Sequence, residues 1–144
     1  MQDTSHLIER FKALALRNGA SLGVMASTRP GDFALVLAAA GCMFAPDDAL
    51  AEREVNERLK AWLGGAGAML AVDHVELRRW LVDNGVLARD GFGRVYTRGT
   101  PRAEIAQAMS VLAGTDLAAA VSKARADDAA RREVRKAQWA DAHK

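Results

Sequence analysis

Arginines at two places in the middle of the chain could bind a polyanion. On a helical wheel of residues 74–84, Val75, Arg78 and Arg79 share one face, and His74 lies beside Arg78. An arginine can donate paired hydrogen bonds to guanine or bind phosphate, and a valine can contact a thymine methyl group. A segment with a hairpin signal then offers three more arginines for phosphate contacts, namely Arg89, Arg94 and Arg98. Together these residues predict a surface that contacts DNA.

The same helix face also fits an interface with protein. Glu76 and Asp83 lie together on its flank, where they are unfavourable next to phosphates. Residues 52–98 hold eight Lys or Arg against seven Asp or Glu, a net charge of +1, and DNA-binding domains are usually more basic. The second interpretation is therefore that Val75 and Val82 are covered by another protein or by a second copy of the chain. Both interpretations stay open at this point.

Enzymatic patterns are absent from the sequence. His74 and Glu76 form the His-x-Glu of zinc deaminases, but no Pro-Cys-x-x-Cys follows. His6, His74 and His143 show no metal-ligand spacing with the single Cys42. There is also no Gly-x-Ser-x-Gly nucleophile elbow. We therefore expect a protein that is not an enzyme, with no catalytic residues, no metal and no cofactor.

Composition limits the class of protein further. The chain has 144 residues, a net charge of +2, and 50% hydrophobic residues. This size and balance fit a single soluble globular domain. The N-terminus lacks the basic and apolar regions of a signal peptide, and the longest apolar run, residues 33–45, is too short to cross a bilayer. We expect a cytoplasmic protein with no membrane partner.

Apolar periodicity and turn residues predict the elements that would position the arginines. The predicted helices are 5–17, 33–43, 52–63, 74–84, 100–112 and a last one from Asp116 to about Ala142. Two short strands, 86–89 and 94–98, flank the hairpin signal Asp90-Gly-Phe-Gly93. Helix 33–43 is apolar on every side, so it should be central and covered by helices from both ends of the chain. Asp32 is its predicted N-cap, and Trp80 falls on the core face of helix 74–84.

The order of these elements defines the expected fold class. It is mainly α with a small β-hairpin: a winged helix-turn-helix core flanked by N- and C-terminal helices. We expect one domain over 1–144, with the winged-helix-like core at 33–98. Residues 1–32 form an N-terminal helix and linker, and residues 99–144 form the C-terminal helices.

Three sequence blocks resemble the bacterial family named domain of unknown function 2087. They are Glu52-Arg-Glu-Val-Asn-Glu-Arg-Leu59, Leu77-Arg-Arg-Trp-Leu-Val-Asp-Asn-Gly-Val-Leu-Ala-Arg89 and Gly93-Arg-Val-Tyr-Thr-Arg98, and the resemblance covers about residues 33–98. It implies a helical, winged-helix-like domain with a role in transcription regulation. Some relatives attach this domain to a separate DNA-binding regulator, which keeps a role other than DNA recognition open. Leu50-Ala51 stand where the family tends to have Tyr and then Ser or Thr, and the stretch from Asn56 to Asp73 is longer here.

The leading functional prediction is a transcription-regulator-like protein that binds DNA as a homodimer through helix 74–84 and hairpin 86–98. The alternative is a winged-helix module that binds another protein, or itself, and does not bind DNA.

Overall fold

The chain folds as a mainly α-helical protein with one small sheet, as the sequence predicts. The computed structural model describes residues 4–143. The helices are α1 (Thr4–Ala15), α2 (Leu22–Thr28), α3 (Pro30–Gly41), α4 (Glu52–Leu63), α5 (His74–Asp83), α6 (Ala103–Leu112) and α7 (Leu117–Ala142). The strands are β1 (Ala49–Ala51), β2 (Leu87–Arg89) and β3 (Val95–Arg98).

Helix α3 lies at the centre of the core. Every residue from Phe33 to Gly41 is buried. Helix α6 packs along α3, and α1, α2 and α5 also contact it. The prediction that this apolar helix is covered by helices from both ends of the chain is therefore confirmed. A helix with no polar face has to be enclosed in this way, because an exposed side would leave apolar surface in water.

Helices α4 and α5 agree with the predicted ranges to within one residue. Asp73 caps α5, since its side chain accepts a 2.8 Å hydrogen bond from the backbone N–H of Glu76. After α5 the chain turns at Gly85, whose φ is +75°. A Cβ atom at Gly85 would lie 2.7 Å from the backbone oxygen of Thr100, so both the backbone angle and the space require glycine there.

The sheet has a strand that the sequence patterns did not predict. Strands β2 and β3 form the predicted antiparallel hairpin, and the turn between them includes Gly93 with a φ of +67°. Strand β1, which directly precedes α4, pairs antiparallel with the other edge of β3. The strand order is therefore β1–β3–β2, and the predicted two-stranded hairpin is part of a three-stranded sheet.

The N-terminal segment differs from the prediction in two ways. Residues 1–32 were expected to hold one helix and a linker, but the linker contains α2, capped by Ser21 and anchored by the buried Leu22 and Met25. Helix α3 begins at Pro30, so Asp32 lies inside its first turn and is not the N-cap. The Asp32 carboxylate instead accepts hydrogen bonds from Nε and Nη2 of Arg10, at 2.8 and 2.6 Å. These bonds lower the pKa of Asp32.

Trp80 is less buried than its predicted core position implies. Leu77 and Leu81 on the same helix are fully buried, whereas Trp80 is only partly buried. Its ring packs edge-to-face on Phe33, with 5.3 Å between centroids. Its indole N–H donates a 3.2 Å hydrogen bond to the carboxylate of Glu76. Trp80 therefore lies at the boundary of the core, where its ring packs on apolar residues and its polar N–H stays close to solvent.

Helix α7 packs on the rest of the molecule through its first turns only. Leu117, Val121 and Ala124 are buried, and Arg125 donates a 2.7 Å hydrogen bond to the backbone oxygen of Gly65. The second half of the helix is exposed, including Trp139. In the described part of the chain no single helix is long and apolar enough to cross a membrane, although α6 and α7 together pass that test as a pair bent by 77°.

Candidate functional site

A groove of about 290 Å³ lies between the outer face of α5 and the sheet. Four of the predicted site residues line it, namely Val75, Arg78, Arg79 and Arg89. Helix α5 supplies the first three at i, i+3 and i+4, and the end of β2 supplies Arg89. We call this feature the α5 groove. The structure therefore brings together side chains that the sequence assigned to two separate elements.

Two cations of the α5 groove are free. Arg79 and Arg89 are both exposed, and within residues 4–143 neither makes a hydrogen bond or an ion pair. Asp83 also lines the groove, so its lining holds three arginines against one aspartate. An exposed, unpaired guanidinium keeps all its N–H donors available for a phosphate or a base edge.

Arg78 is bound by side chains of α4. Its guanidinium donates a hydrogen bond to the side-chain oxygen of Asn56 and forms an ion pair with Glu52 at 3.4 Å. The hydroxyl of Tyr96 donates to the same oxygen of Glu52 at 3.0 Å, and the Arg78 side chain is only 19% exposed. Arg78 therefore joins α5 to α4 and to the sheet, whereas the sequence predicted that it points outward.

This network of polar side chains was not predicted from the sequence. Glu52 and Asn56 are four residues apart in one helix, which places them on one face of α4. The sequence therefore predicts that Glu52 and Asn56 share a helix face. It does not predict that they contact Arg78 and Tyr96, because those contacts depend on how α4, α5 and β3 pack together.

His74 and Arg94 do not line the α5 groove. His74 is the first residue of α5 and is partly buried. Arg94 lies on the turn between β2 and β3, with its guanidinium 5.6 Å from the ring centroid of Phe92. Phe92 is 84% exposed. The backbone N–H of Arg94 donates to the side chain of Asp90, and this bond lowers the pKa of Asp90.

Arg98 lies apart from the other predicted site residues. It follows the buried Tyr96 by two positions in β3, so both side chains leave the same face of the sheet. Its Nη1 donates a 2.7 Å hydrogen bond to the backbone oxygen of Phe44. Its Nε is buried and has no hydrogen-bond partner among the described residues. Arg98 does not line the α5 groove, although the sequence grouped it with Arg89 and Arg94.

The outer face of the sheet is exposed and uncharged. Strand register places Ala49 and Ala88 on either side of Thr97, and Ala51 beside Val95. All five of these residues are exposed. This face is small and mildly apolar, and it could contact another protein surface without burying a charge.

No metal-binding arrangement of three or more His, Cys, Asp or Glu side chains occurs within residues 4–143.

Comparison with known proteins finds a family model that matches part of the chain. Residues 28–98 match the model of a family described as "Uncharacterized protein conserved in bacteria (DUF2087)". The matched segment runs from just before α3 to the end of β3, so it contains every element that forms the α5 groove. No curated protein and no solved structure matches the chain.

Proposed function

We propose that the protein is a DNA-binding transcription regulator that contacts DNA through the α5 groove and the β2–β3 turn. Both features lie within residues 28–98, the segment that matches the family model. The observation that carries the proposal is the pair of free, exposed arginines, Arg79 and Arg89, on facing elements of the groove.

The order of elements supports the proposal. From α3 to β3 the chain runs helix, strand, helix, helix, strand, strand, which is the order of a winged helix-turn-helix. In helix-turn-helix proteins the second helix of the motif enters the major groove. Here α4 and α5 pack together as the two helices of the motif, and α5 holds the recognition position. The β2–β3 hairpin then forms the wing.

We expect the arginines of the site to have different roles, because some are unpaired and one is bonded to other side chains. Arg79 is free to bind a guanine edge or a phosphate, and Val75, 39% exposed, can contact a thymine methyl group beside it. Arg89 and Arg94 on the hairpin are placed for phosphate contacts. Arg78 acts indirectly, since its bonds to Glu52 and Asn56 hold α5 at its angle to α4. Base recognition on α5 therefore depends on Arg79 more than on Arg78.

The charge of the segment predicts how such binding would behave. Residues 28–98 hold nine Lys or Arg against ten Asp or Glu, a net charge of −1. Attraction to DNA then comes from the local cluster rather than from the whole surface. We expect weak affinity for random DNA, with a salt dependence that corresponds to only a few phosphate contacts.

Titration of a fluorescein-labelled duplex of random sequence, at several salt concentrations, tests the proposal. Replacing Arg89 or Arg94 by Ala should weaken binding and reduce the slope of log K against log salt by about 0.9 for each phosphate that the arginine neutralises. Arg17→Ala removes an exposed arginine beyond α1 and serves as the matched control with an unchanged slope. Equal slopes in Arg89→Ala, Arg94→Ala and Arg17→Ala would refute the proposed surface.

A second candidate function, protein binding or homodimer formation, is favoured by the uncharged outer face of the sheet. Val95 and Thr97 lie on this face next to three exposed alanines. A two-fold contact would bring the same face of two copies together. Val95→Glu would then convert a dimer to a monomer in sedimentation, whereas Thr97→Ser would leave the dimer intact. A wild-type protein that sediments as a monomer at all concentrations would exclude this homodimer.

A further inference from the structure

A second concave site lies beside the end of β3, between that strand and α6. It has a volume of about 340 Å³. Most of its wall is apolar and includes Phe44, Pro46, Pro101 and Met109. Arg98 supplies the charge in this wall, and we call the site the Arg98 pocket.

Arg98 is short of partners in this position. Its Nη1 donates to the backbone oxygen of Phe44, but its Nε has no hydrogen-bond partner among the described residues. None of the ten residues that line the pocket is acidic, and no carboxylate within residues 4–143 forms an ion pair with Arg98. A partly buried guanidinium without an anion is unfavourable, because burial removes water that no other group replaces.

Another pocket contains an arginine that is already paired with a carboxylate. A site of about 400 Å³ between α1, α3 and α6 is also lined by an arginine, Arg10. There the guanidinium is already neutralised by two hydrogen bonds to Asp32. The Arg98 pocket offers a cation and an apolar wall, and it lacks the carboxylate that completes the pair in the other pocket.

We propose that the Arg98 pocket binds a small organic carboxylate with an apolar body. The ligand carboxylate would bind the guanidinium of Arg98, which suits the paired geometry of carboxylate oxygens. The apolar body would pack on Met109 and the two prolines. The volume lies within the range of small-molecule pockets. This proposal is independent of DNA binding, since Arg98 does not line the α5 groove.

The single cysteine reports on this pocket. Cys42 is partly buried and lines the pocket. Burial raises the pKa of its thiol, and the positive charge of nearby Arg98 partly offsets this increase. Iodoacetate and iodoacetamide alkylate the same thiolate sulfur: an S–C bond forms, the C–I bond breaks and iodide leaves. The first reagent bears a carboxylate and the second a neutral amide. The ratio of their rate constants does not depend on the thiolate fraction, so it measures the preference of the pocket for a carboxylate.

The experiment compares this ratio for Cys42 in the native protein and in the urea-unfolded chain. We expect the iodoacetate-to-iodoacetamide ratio to be at least about tenfold higher in the native protein. Arg98→Met should return the ratio to the unfolded value. Arg102→Met, which removes an exposed arginine paired with Glu104 outside the pocket, is the matched control and should keep the native ratio. A native ratio at or below the unfolded one would overturn the proposal.

A second pair of variants decides the question even if Arg98→Met fails to fold. Ala106 is exposed and lines the pocket, so Ala106→Phe should fill it and slow the reaction with iodoacetate at least about tenfold. Ala103 is exposed on the same helix outside the pocket, and Ala103→Phe should leave the rate unchanged. An unchanged rate in Ala106→Phe would also overturn the proposal.

Discussion

Replacing Trp80 by alanine tests how α5 is fixed on the central helix. The indole ring packs edge-to-face on Phe33 of α3 with a centroid distance of 5.3 Å and an interplanar angle of 75°. The ring is only partly buried, and its hydrogen bond to Glu76 lies at the surface. The ring therefore contributes mainly through apolar contact with the edge of the core.

The size of the expected loss follows from this partial burial. A fully buried tryptophan cut to alanine costs about 3–5 kcal/mol of unfolding free energy. Since part of the Trp80 ring already contacts solvent, the burial contribution falls to roughly 2 kcal/mol. The ring pair with Phe33 adds about 0.5–1.5 kcal/mol. We expect Trp80→Ala to lower the free energy of unfolding by about 2.5–3.5 kcal/mol.

Urea unfolding followed by far-ultraviolet circular dichroism measures this loss without relying on tryptophan emission. Trp80→Phe keeps an aromatic contact with Phe33 and should cost less than about 1.5 kcal/mol. Trp139→Ala is the matched control, because its ring is 65% exposed, and it should change stability by less than about 0.5 kcal/mol. A loss below about 1 kcal/mol for Trp80→Ala would show that the ring does not pack on α3, and a loss above about 4 kcal/mol would show that it is fully buried.

Three further predictions concern stability and are checked by the same urea titrations. Gly85→Ala should cost more than about 2 kcal/mol, because it forces a side chain into a positive φ and against a carbonyl oxygen, whereas Gly91→Ala, with open space around it, should be nearly neutral. Asp73→Ala should cost about 1 kcal/mol through loss of the α5 cap; an unchanged midpoint would argue against that cap. The bond to Arg10 lowers the pKa of Asp32 in the folded state, so its contribution is full above about pH 4 and is lost as the pH falls through the folded pKa. Asp32→Asn should therefore lose less stability than the wild type between neutral and acid pH, and equal losses would contradict the assignment.

Local patterns predict much of the fold. Helices α4 and α5 have apolar stripes at helical spacing and clear ends, so their ranges follow from sequence alone. Strand β1 is only three residues, Ala49–Ala51, and it exists because β3 lies beside it. Helix α2 lies in a segment rich in small and polar residues that resembles a linker. Its buried Leu22 and Met25 stabilise it through packing on the rest of the fold, including α3, and local sequence does not reveal that contact.

The candidate site was predictable in position and less so in detail. Helical spacing places Val75, Arg78 and Arg79 on one side of α5, and in the structure they line one groove. The pairing of Arg78 with Glu52 was not predictable, because it depends on the angle between two helices. Strand alternation does not predict the separation of Arg98 from Arg89, because Arg89 pairs with Tyr96 and all three side chains leave the same face of the sheet. Arg98 lies at the end of β3, where it donates to the backbone oxygen of Phe44, and that contact depends on how the strand packs.

Selection of genomic DNA fragments by the purified protein at low salt, with Arg79→Ala run in parallel, tests DNA recognition by the α5 groove. We expect the wild-type protein to enrich a defined set of fragments. Arg79→Ala should lose about 1–3 kcal/mol of affinity for them and relax the sequence preference, as expected for a base-reading arginine. Enrichment of no fragment by the wild-type protein, or an identical set enriched with equal affinity by Arg79→Ala, would contradict DNA recognition through this groove.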